Sequence, residues 1–212
     1  MKWSDVVVKY WVLLIPVTFT VFAVTGCGFF FRAGVSASCA VILWMFPEQS
    51  VGRSIRWVFA SLLVSIPADW FMMHSNTAHE NLIYGICLFF LAHVGFLLFC
   101  LKNGGIHWRF LLPVLAGYLV FFFTVLRPAI GQSALFVVAL AYLLVSCFSL
   151  AAAIGLRLPA MIHGCFAAGI ALLVFSDTII ALKIFAGYRE FGFLILPTYF
   201  ASHIMVTLAL MR

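Results

Sequence analysis

Residues 133–156 read SALFVVALAYLLVSCFSLAAAIGL, a run without Asp, Glu, Lys or Arg. A helix needs about 20 apolar residues to cross the hydrocarbon core of a bilayer, which is about 30 Å thick, so this run is long enough. Similar runs recur along the chain: 66% of the 212 residues are apolar and only 8% are charged. Soluble domains carry about 25% charged residues, and this chain lacks the polar surface to cover a water-soluble fold. We therefore predict a membrane protein.

The apolar runs also predict the fold class. Transmembrane strands alternate apolar and polar residues over about ten positions, whereas these runs are continuous over about twenty. We predict an all-α, polytopic membrane bundle of about eight transmembrane helices, forming one domain over residues 1–212. The predicted spans are residues 10–31, 33–46, 55–73, 82–101, 108–126, 133–156, 160–186 and 191–211. The second is short, and a half-helix or a re-entrant segment would also suit it.

The basic residues are scattered singly among the connectors, although the net charge is +6. They form no patch interleaved with aromatic residues, so we expect no nucleic-acid partner. Cytoplasmic loops are enriched in Lys and Arg, and with eight spans the distribution predicts that both termini are cytoplasmic, provided that the second run crosses. The inner set is Lys2, Lys9, Arg53, Arg56, Lys102, Arg109, Arg157 and Arg212, and the outer set is Arg32, Arg127, Lys183 and Arg189.

The cysteines lie in apolar runs as well. They are Cys27, Cys39, Cys87, Cys100, Cys147 and Cys165. Without a CxxC pair or a zinc-like spacing, they are interpreted as small buried apolar residues. We expect neither a metal ion nor a cofactor.

Two aspartates lie inside apolar runs, where an ionisable side chain costs at least about 2.5–3.5 kcal/mol on insertion scales. Asp69 lies in SIPADW (residues 65–70), late in the third run, and Asp177 lies in FSDT (residues 175–178), in the seventh. In the proposed topology Asp69 is about 6 Å, and Asp177 about 14 Å, from the outer ends of their helices. We predict that the two carboxyls meet in the outer half of the bundle. A structural role, as neutral acids or paired with an Arg, is the alternative.

Further polar side chains stand at helical spacing and predict one shared cavity. Ser61, Ser65 and Asp69 follow at intervals of four, and Tyr199 and His203 are four apart. The supporting or substrate-binding candidates are Ser65, His93, Tyr142, Ser176, Tyr199 and His203. For each, interhelical hydrogen bonding or packing is the structural alternative, since membrane histidines and serines commonly serve that purpose.

The ordered motifs resemble those of the lysoplasmalogenase-like, YhhN-type membrane family. They are Asp69 among small residues, Gly85-x7-His93, Gly169-x6-Ser176-Asp177 and Thr198-Tyr199, and the match in order and spacing runs from about residue 55 to 206. The chain departs from the family pattern at four places. It lacks the Lys-Pro of the second span and has Ala68 for Gly, Phe96 for an aromatic hydroxyl and His203 for Gln.

The resemblance implies hydrolysis of the vinyl ether bond of lysoplasmalogens to a fatty aldehyde and a glycerophospho-base. It implies that Asp69 and Asp177 are catalytic, that a lysophospholipid is the substrate and that membrane lipids surround the protein, with a bacterial inner (plasma) membrane as the expected location. The chemistry needs one protonated and one ionised acid, because a proton is delivered to the enol carbon and water then attacks. Two carboxyls held close in low dielectric resist ionising together, as in glycosidases. Which aspartate is the acid stays open.

Two other classes of function stay open. A ceramidase-like metallohydrolase would use His74, His79, His93 and His203 with the two aspartates as ligands. No HxxxH pair stands at span depth, however, and the two loop histidines are five apart, off one helical face. A proton-coupled transporter or lipid-binding membrane protein would also place Asp and His in its spans, although repeated halves are not evident.

Overall fold

The computed structural model describes residues 11–75 and 79–211, except for the side chain of His79. This part of the chain contains eight α-helices and no strand. They are α1 (Leu14–Val24), α2 (Phe29–Met45), α3 (Ile55–Met73), α4 (His79–Asn103), α5 (Trp108–Phe121), α6 (Ser133–Ile154), α7 (Ala160–Phe185) and α8 (Ile195–Leu210). A π-helical segment (Phe122–Leu126) and a 3-10 turn (Arg127–Ala129) extend α5, and short 3-10 helices (Gln49–Ser54 and Gly192–Leu194) precede α3 and α8.

The predicted all-helical membrane fold is confirmed. Six helices, α3 to α8 with their short extensions, are long and apolar enough to cross a bilayer, so the protein is a multi-pass membrane protein. The described parts of α1 and α2 are shorter, with 11 and 17 residues. Their lengths of about 17 Å and about 26 Å fall below the hydrocarbon thickness of about 30 Å.

The prediction of one continuous span over residues 10–31 is wrong. The first helix ends at Val24, and α2 begins at Phe29. Between them, Gly26 and Gly28 adopt φ values of +85° and +100°, a left-handed conformation that interrupts a right-handed helix and that glycine adopts without strain. Arg32, predicted in an outer connector, therefore lies in the first turn of α2.

The predicted orientation, with both termini cytoplasmic, stays a prediction. Its count of basic residues placed Arg32 in a connector, assumed eight crossings, and used Lys2, Lys9 and Arg212, which lie outside the described residues. The prediction of a single domain over residues 1–212 likewise remains a prediction.

Six helices contact one another in a closed ring, in the order α2, α3, α4, α6, α7, α8 and back to α2. Helix α1 packs on α2 and α8, while α5 packs on α6, and its π-helical extension contacts α7. Side-chain hydrogen bonds cross the ring between α3 and α8 and between α4 and α7. The ring therefore encloses polar groups that its apolar outer surface shields from lipid.

Close approach of α7 and α8 depends on Gly169. A Cβ on Gly169 would lie 2.8 Å from Val206 Cγ2 and 3.0 Å from the Ser202 carbonyl oxygen. Because the backbone of α8 cannot yield without moving the helix, the two helices pack at this distance only where one residue lacks a side chain.

We expect Gly169→Ala to destabilise the protein by about 1–3 kcal/mol, since the added methyl group separates α7 from α8. Thermal unfolding in detergent measures the effect. The matched control is Gly117→Ala in α5, where no atom lies within 4 Å of the new methyl group. There the substitution leaves stability unchanged or raises it by up to about 1 kcal/mol, because alanine is the better helix former. Equal melting temperatures for the two variants would contradict the close contact.

Candidate functional site

Asp69 and Asp177 line one cavity of about 310 Å³ inside the helical ring. Helices α2, α3, α4, α7 and α8 contribute to its wall, which also includes Arg32, Lys183 and Tyr199. The depth estimate from the sequence predicted that the two carboxyls would meet in the outer half of the bundle; both line this cavity, and their meeting stays a prediction. The volume is at the lower end of the range of ligand pockets.

Asp69 is held in place by Tyr199. Its carboxyl group is 6% exposed, and the Tyr199 hydroxyl donates a hydrogen bond of 3.2 Å to Oδ2. The ring of Tyr199 packs edge-on against Phe89, with centroids 5.7 Å apart, and is itself only 4% exposed. Packing therefore fixes the donor, and the donor fixes the Asp69 carboxyl towards the cavity.

Asp177, on α7, is held by His93 on α4. The distance from His93 Nε2 to Asp177 Oδ2 is 3.1 Å, and His93 is 1% exposed. His93 Nδ1 is buried and has no hydrogen-bond partner among the described residues. A bare nitrogen there costs less than an unpaired N–H, so the network assigns the proton to Nε2, which donates to Asp177 Oδ2.

Three of the other predicted residues lie behind the cavity wall. The Ser65 hydroxyl donates to the Ser61 carbonyl at 2.9 Å, and the Ser176 hydroxyl donates to the Ile195 carbonyl at 3.0 Å. The His203 ring packs on Tyr199 with centroids 4.5 Å apart, and its Nδ1 is hydrogen-bonded to the Ser36 hydroxyl at 3.2 Å. The Ser176 and His203 contacts join α8 to α7 and to α2, whereas the Ser65 bond stays within α3; the His203 ring also supports Tyr199.

Tyr142 differs from these three because its hydroxyl is buried and has no hydrogen-bond partner within the described ranges. Its ring packs edge-on against His93 at a centroid distance of 5.3 Å. Tyr142 and Asp177 both line a second space, which is apolar. The hydroxyl interacts with the side chains of Asp177 and Ser146, so it lies within reach of a ligand that contacts Asp177.

This second space is a narrow apolar slot of about 80 Å³ that adjoins the cavity. Its walls come from α4, α5 with its π-helical extension, α6 and α7, and include Ile86, Phe121, Ala139 and Ala181. Asp177 lines both the slot and the cavity, as do four apolar side chains, which are Met72, Phe89, Ile180 and Ile184. One carboxyl therefore stands where a polar space meets an apolar one.

Sequence reasoning missed several polar residues of these two spaces. Tyr118 and Thr178 line the slot and are hydrogen-bonded at 2.9 Å, and Arg32 and Lys183 line the cavity. The two basic residues were interpreted only as topology signals. The signal that would have found Lys183 is its position inside the seventh apolar run, and for Tyr118 it is a tyrosine in the middle of the fifth run.

The metallohydrolase hypothesis needed histidines to converge on the aspartates. In the part of the chain that the structure describes, no three His, Cys, Asp or Glu side chains lie together as a metal would need. His74 Nδ1 is 2.8 Å from the Trp70 carbonyl oxygen, His203 is bonded to Ser36, and the side chain of His79 lies outside the described residues. Among the histidine side chains that the structure describes, His93 is the one hydrogen-bonded to either aspartate.

The fold and the site define a multi-pass helical membrane protein whose ring of helices holds two carboxyl groups, of which Asp69 is buried and Asp177 is partly exposed. The chain belongs to the YhhN family, whose model matches residues 28–210, and the resemblance seen in the sequence motifs is thereby confirmed. No curated protein and no solved structure gives a significant match to the chain.

Proposed function

We propose that this protein is a lysoplasmalogenase-type hydrolase that cleaves the vinyl ether bond of a lysoplasmalogen within a bacterial plasma membrane. The observation that carries the proposal is that Asp69 and Asp177 line one cavity and that Asp177 also lines an apolar slot. Membership of the YhhN family supports the same reaction class. The substrate has a polar headgroup and a single hydrocarbon chain, joined by the bond to be cleaved.

The two spaces match the two parts of this substrate. The headgroup occupies the polar cavity, and the start of the hydrocarbon chain enters the slot. An apolar cavity of about 150 Å³ holds one benzene molecule, so a slot of about 80 Å³ takes several methylene groups at most. This placement leaves the vinyl ether beside Asp177, where the two spaces meet.

The reaction begins with proton transfer to the enol carbon. By proposal, protonated Asp69 delivers this proton, the electron pair of the double bond forms the new C–H bond, and the adjacent carbon becomes an oxocarbenium ion. Ionised Asp177, which accepts the N–H of His93, stabilises that cation and then removes a proton from the attacking water.

The resulting hemiacetal collapses to the aldehyde, and its hydroxyl proton passes to the departing glycerol oxygen. The two carboxyls hold one proton between them before and after the reaction, so the net change is the addition of one water across the vinyl ether bond. Tyr142 places its hydroxyl beside Asp177, where the bound substrate or water lies, and Tyr199 keeps the Asp69 carboxyl oriented.

Incubation of purified protein with lysolipids that differ only at the first chain tests this function. We expect aldehyde from the alkenyl lipid, and neither aldehyde nor fatty acid from the alkyl and acyl lipids. Fatty acid release from the acyl lipid would refute the ether specificity. Transport of a labelled lipid in proteoliposomes without turnover would favour the transporter class instead.

Two substitutions of His93, one without and one with an N–H donor, test the role of Asp177. We expect His93→Phe to lower kcat by about 10- to 100-fold, because Asp177 loses the N–H donor of His93. His93→Gln keeps an N–H donor and should retain much more of the activity. Aldehyde release by both purified variants, at equal thermal stability, measures the difference. Equal losses in both variants would contradict a role through the hydrogen bond.

A further inference from the structure

We propose that Arg32 and Lys183 form a binding subsite for the phosphodiester of a glycerophospholipid headgroup, at the end of the cavity that holds the two carboxyls. The assignment of this ligand rests on the proposed function. Both basic side chains line the same 310 Å³ cavity as Asp69 and Asp177. In this proposal Arg32 and Lys183 hold the headgroup and contribute to substrate binding.

Arg32 has an unused donor. Its Nε is buried and has no hydrogen-bond partner among the described residues, although the rest of the side chain is only half-buried. No ion pair shorter than 4 Å joins Arg32 to an acid in the same part of the chain. A buried N–H without an acceptor is costly, and a guanidinium forms its strongest hydrogen bonds with the paired oxygens of phosphate or carboxylate.

Lys183 brings a second positive charge to the same end of the ring. It lies in the last turn of α7, six residues and therefore about 9 Å beyond Asp177 along the helix. Its Nζ is 3.9 Å from the point where a Cβ on Gly192 would lie, in the connector that leads to α8. Lys183 also has no ion pair within 4 Å among the described residues.

The charges of the cavity favour a ligand with one negative charge. Arg32 and Lys183 contribute two positive charges, and the proposed state of the carboxyl pair contributes one negative charge. The excess of one positive charge matches a phosphodiester.

Equilibrium binding of a saturated ether lysolipid tests the subsite without turnover. The probes are 1-O-alkylglycerophosphocholine and 1-O-alkylglycerol, which share the chain and differ in the phosphate, and inorganic phosphate alone. We expect Arg32→Gln and Lys183→Gln each to weaken binding of the phospholipid by about tenfold or more, and to leave alkylglycerol binding unchanged. The control, Arg189→Gln, removes an exposed cation from the same end of the bundle and should change neither affinity.

Three results would overturn the subsite. The first is unchanged phospholipid binding in both variants, and the second is an equal loss of both lipids, which would indicate a structural role. The third is inorganic phosphate binding as tightly as the phospholipid, which would assign the site to a soluble anion. A parallel aldehyde assay separates the two proposals: phosphate-dependent binding without aldehyde release would refute the hydrolase and support the subsite.

Discussion

Asp69→Asn and Asp177→Asn are each expected to lower aldehyde release from an alkenyl lysolipid by about 100-fold or more. An amide neither delivers a proton to the enol carbon nor balances the charge of the oxocarbenium ion, and general acid–base catalysis contributes about 10²- to 10⁴-fold. Asparagine keeps the shape of the side chain and an acceptor for Tyr199 or His93. If the purified variant has a normal melting temperature, a loss of activity therefore reflects the chemical step and not misfolding.

The matched control for these two variants is Glu190→Gln, which removes an exposed carboxyl from the connector between α7 and α8. We expect this variant to retain wild-type activity. Full activity in either aspartate variant would refute the carboxylate mechanism. Equal losses in all three variants would indicate that net charge, and not the enclosed pair, controls the reaction.

Ala181→Phe is expected to reduce cleavage of a long-chain lysoplasmalogen by about 100-fold. Ala181 lines the slot on α7, and a phenyl ring there fills the space of about 80 Å³ that the first methylene groups would occupy. Displacing several methylene groups from an apolar site costs about 0.8 kcal/mol each, which is consistent with a loss of this size. Kinetics with a matched pair of long-chain and very short-chain vinyl ethers measure the effect.

The control for the slot is Ala171→Phe, which makes the same substitution on an exposed face of the same helix. Because its new ring points into lipid, activity and stability should stay at the wild-type level. The wild-type protein, Ala181→Phe and Ala171→Phe should all cleave the very short-chain vinyl ether. Normal turnover of the long-chain lipid by Ala181→Phe would mean that the chain binds elsewhere.

Much of the architecture follows from the lengths of the apolar runs. The run over residues 55–73 coincides with α3, and the runs over residues 133–156 and 160–186 match α6 and α7 closely. The break at Gly26 and Gly28 was not predicted, because the residues on both sides of it are apolar and glycine is common in membrane helices. Because the break was missed, Arg32 was wrongly predicted in a connector, whereas it lies in the first turn of α2.

The sequence alone could not predict which side chain each of the two carboxyls is hydrogen-bonded to. Depth along a helix placed Asp69 and Asp177 in one cavity, since depth follows from rise per residue. Which partner each carboxyl takes depends on the order of the helices around the ring and on the rotation of each one. The structure pairs Asp69 with Tyr199 and Asp177 with His93. The π-helical extension of α5, which contributes Leu126 to the wall of the apolar slot, was not predicted by any periodicity.

Reaction in D₂O tests the central claim most directly, because it follows the proton that the carboxyl pair is proposed to transfer. Mass spectrometry of the released aldehyde should show one solvent deuteron on the carbon next to the carbonyl group, and the signal should disappear with Asp69→Asn. Aldehyde released without deuterium, or deuterated aldehyde formed at the wild-type rate by Asp69→Asn, would contradict proton delivery by this pair.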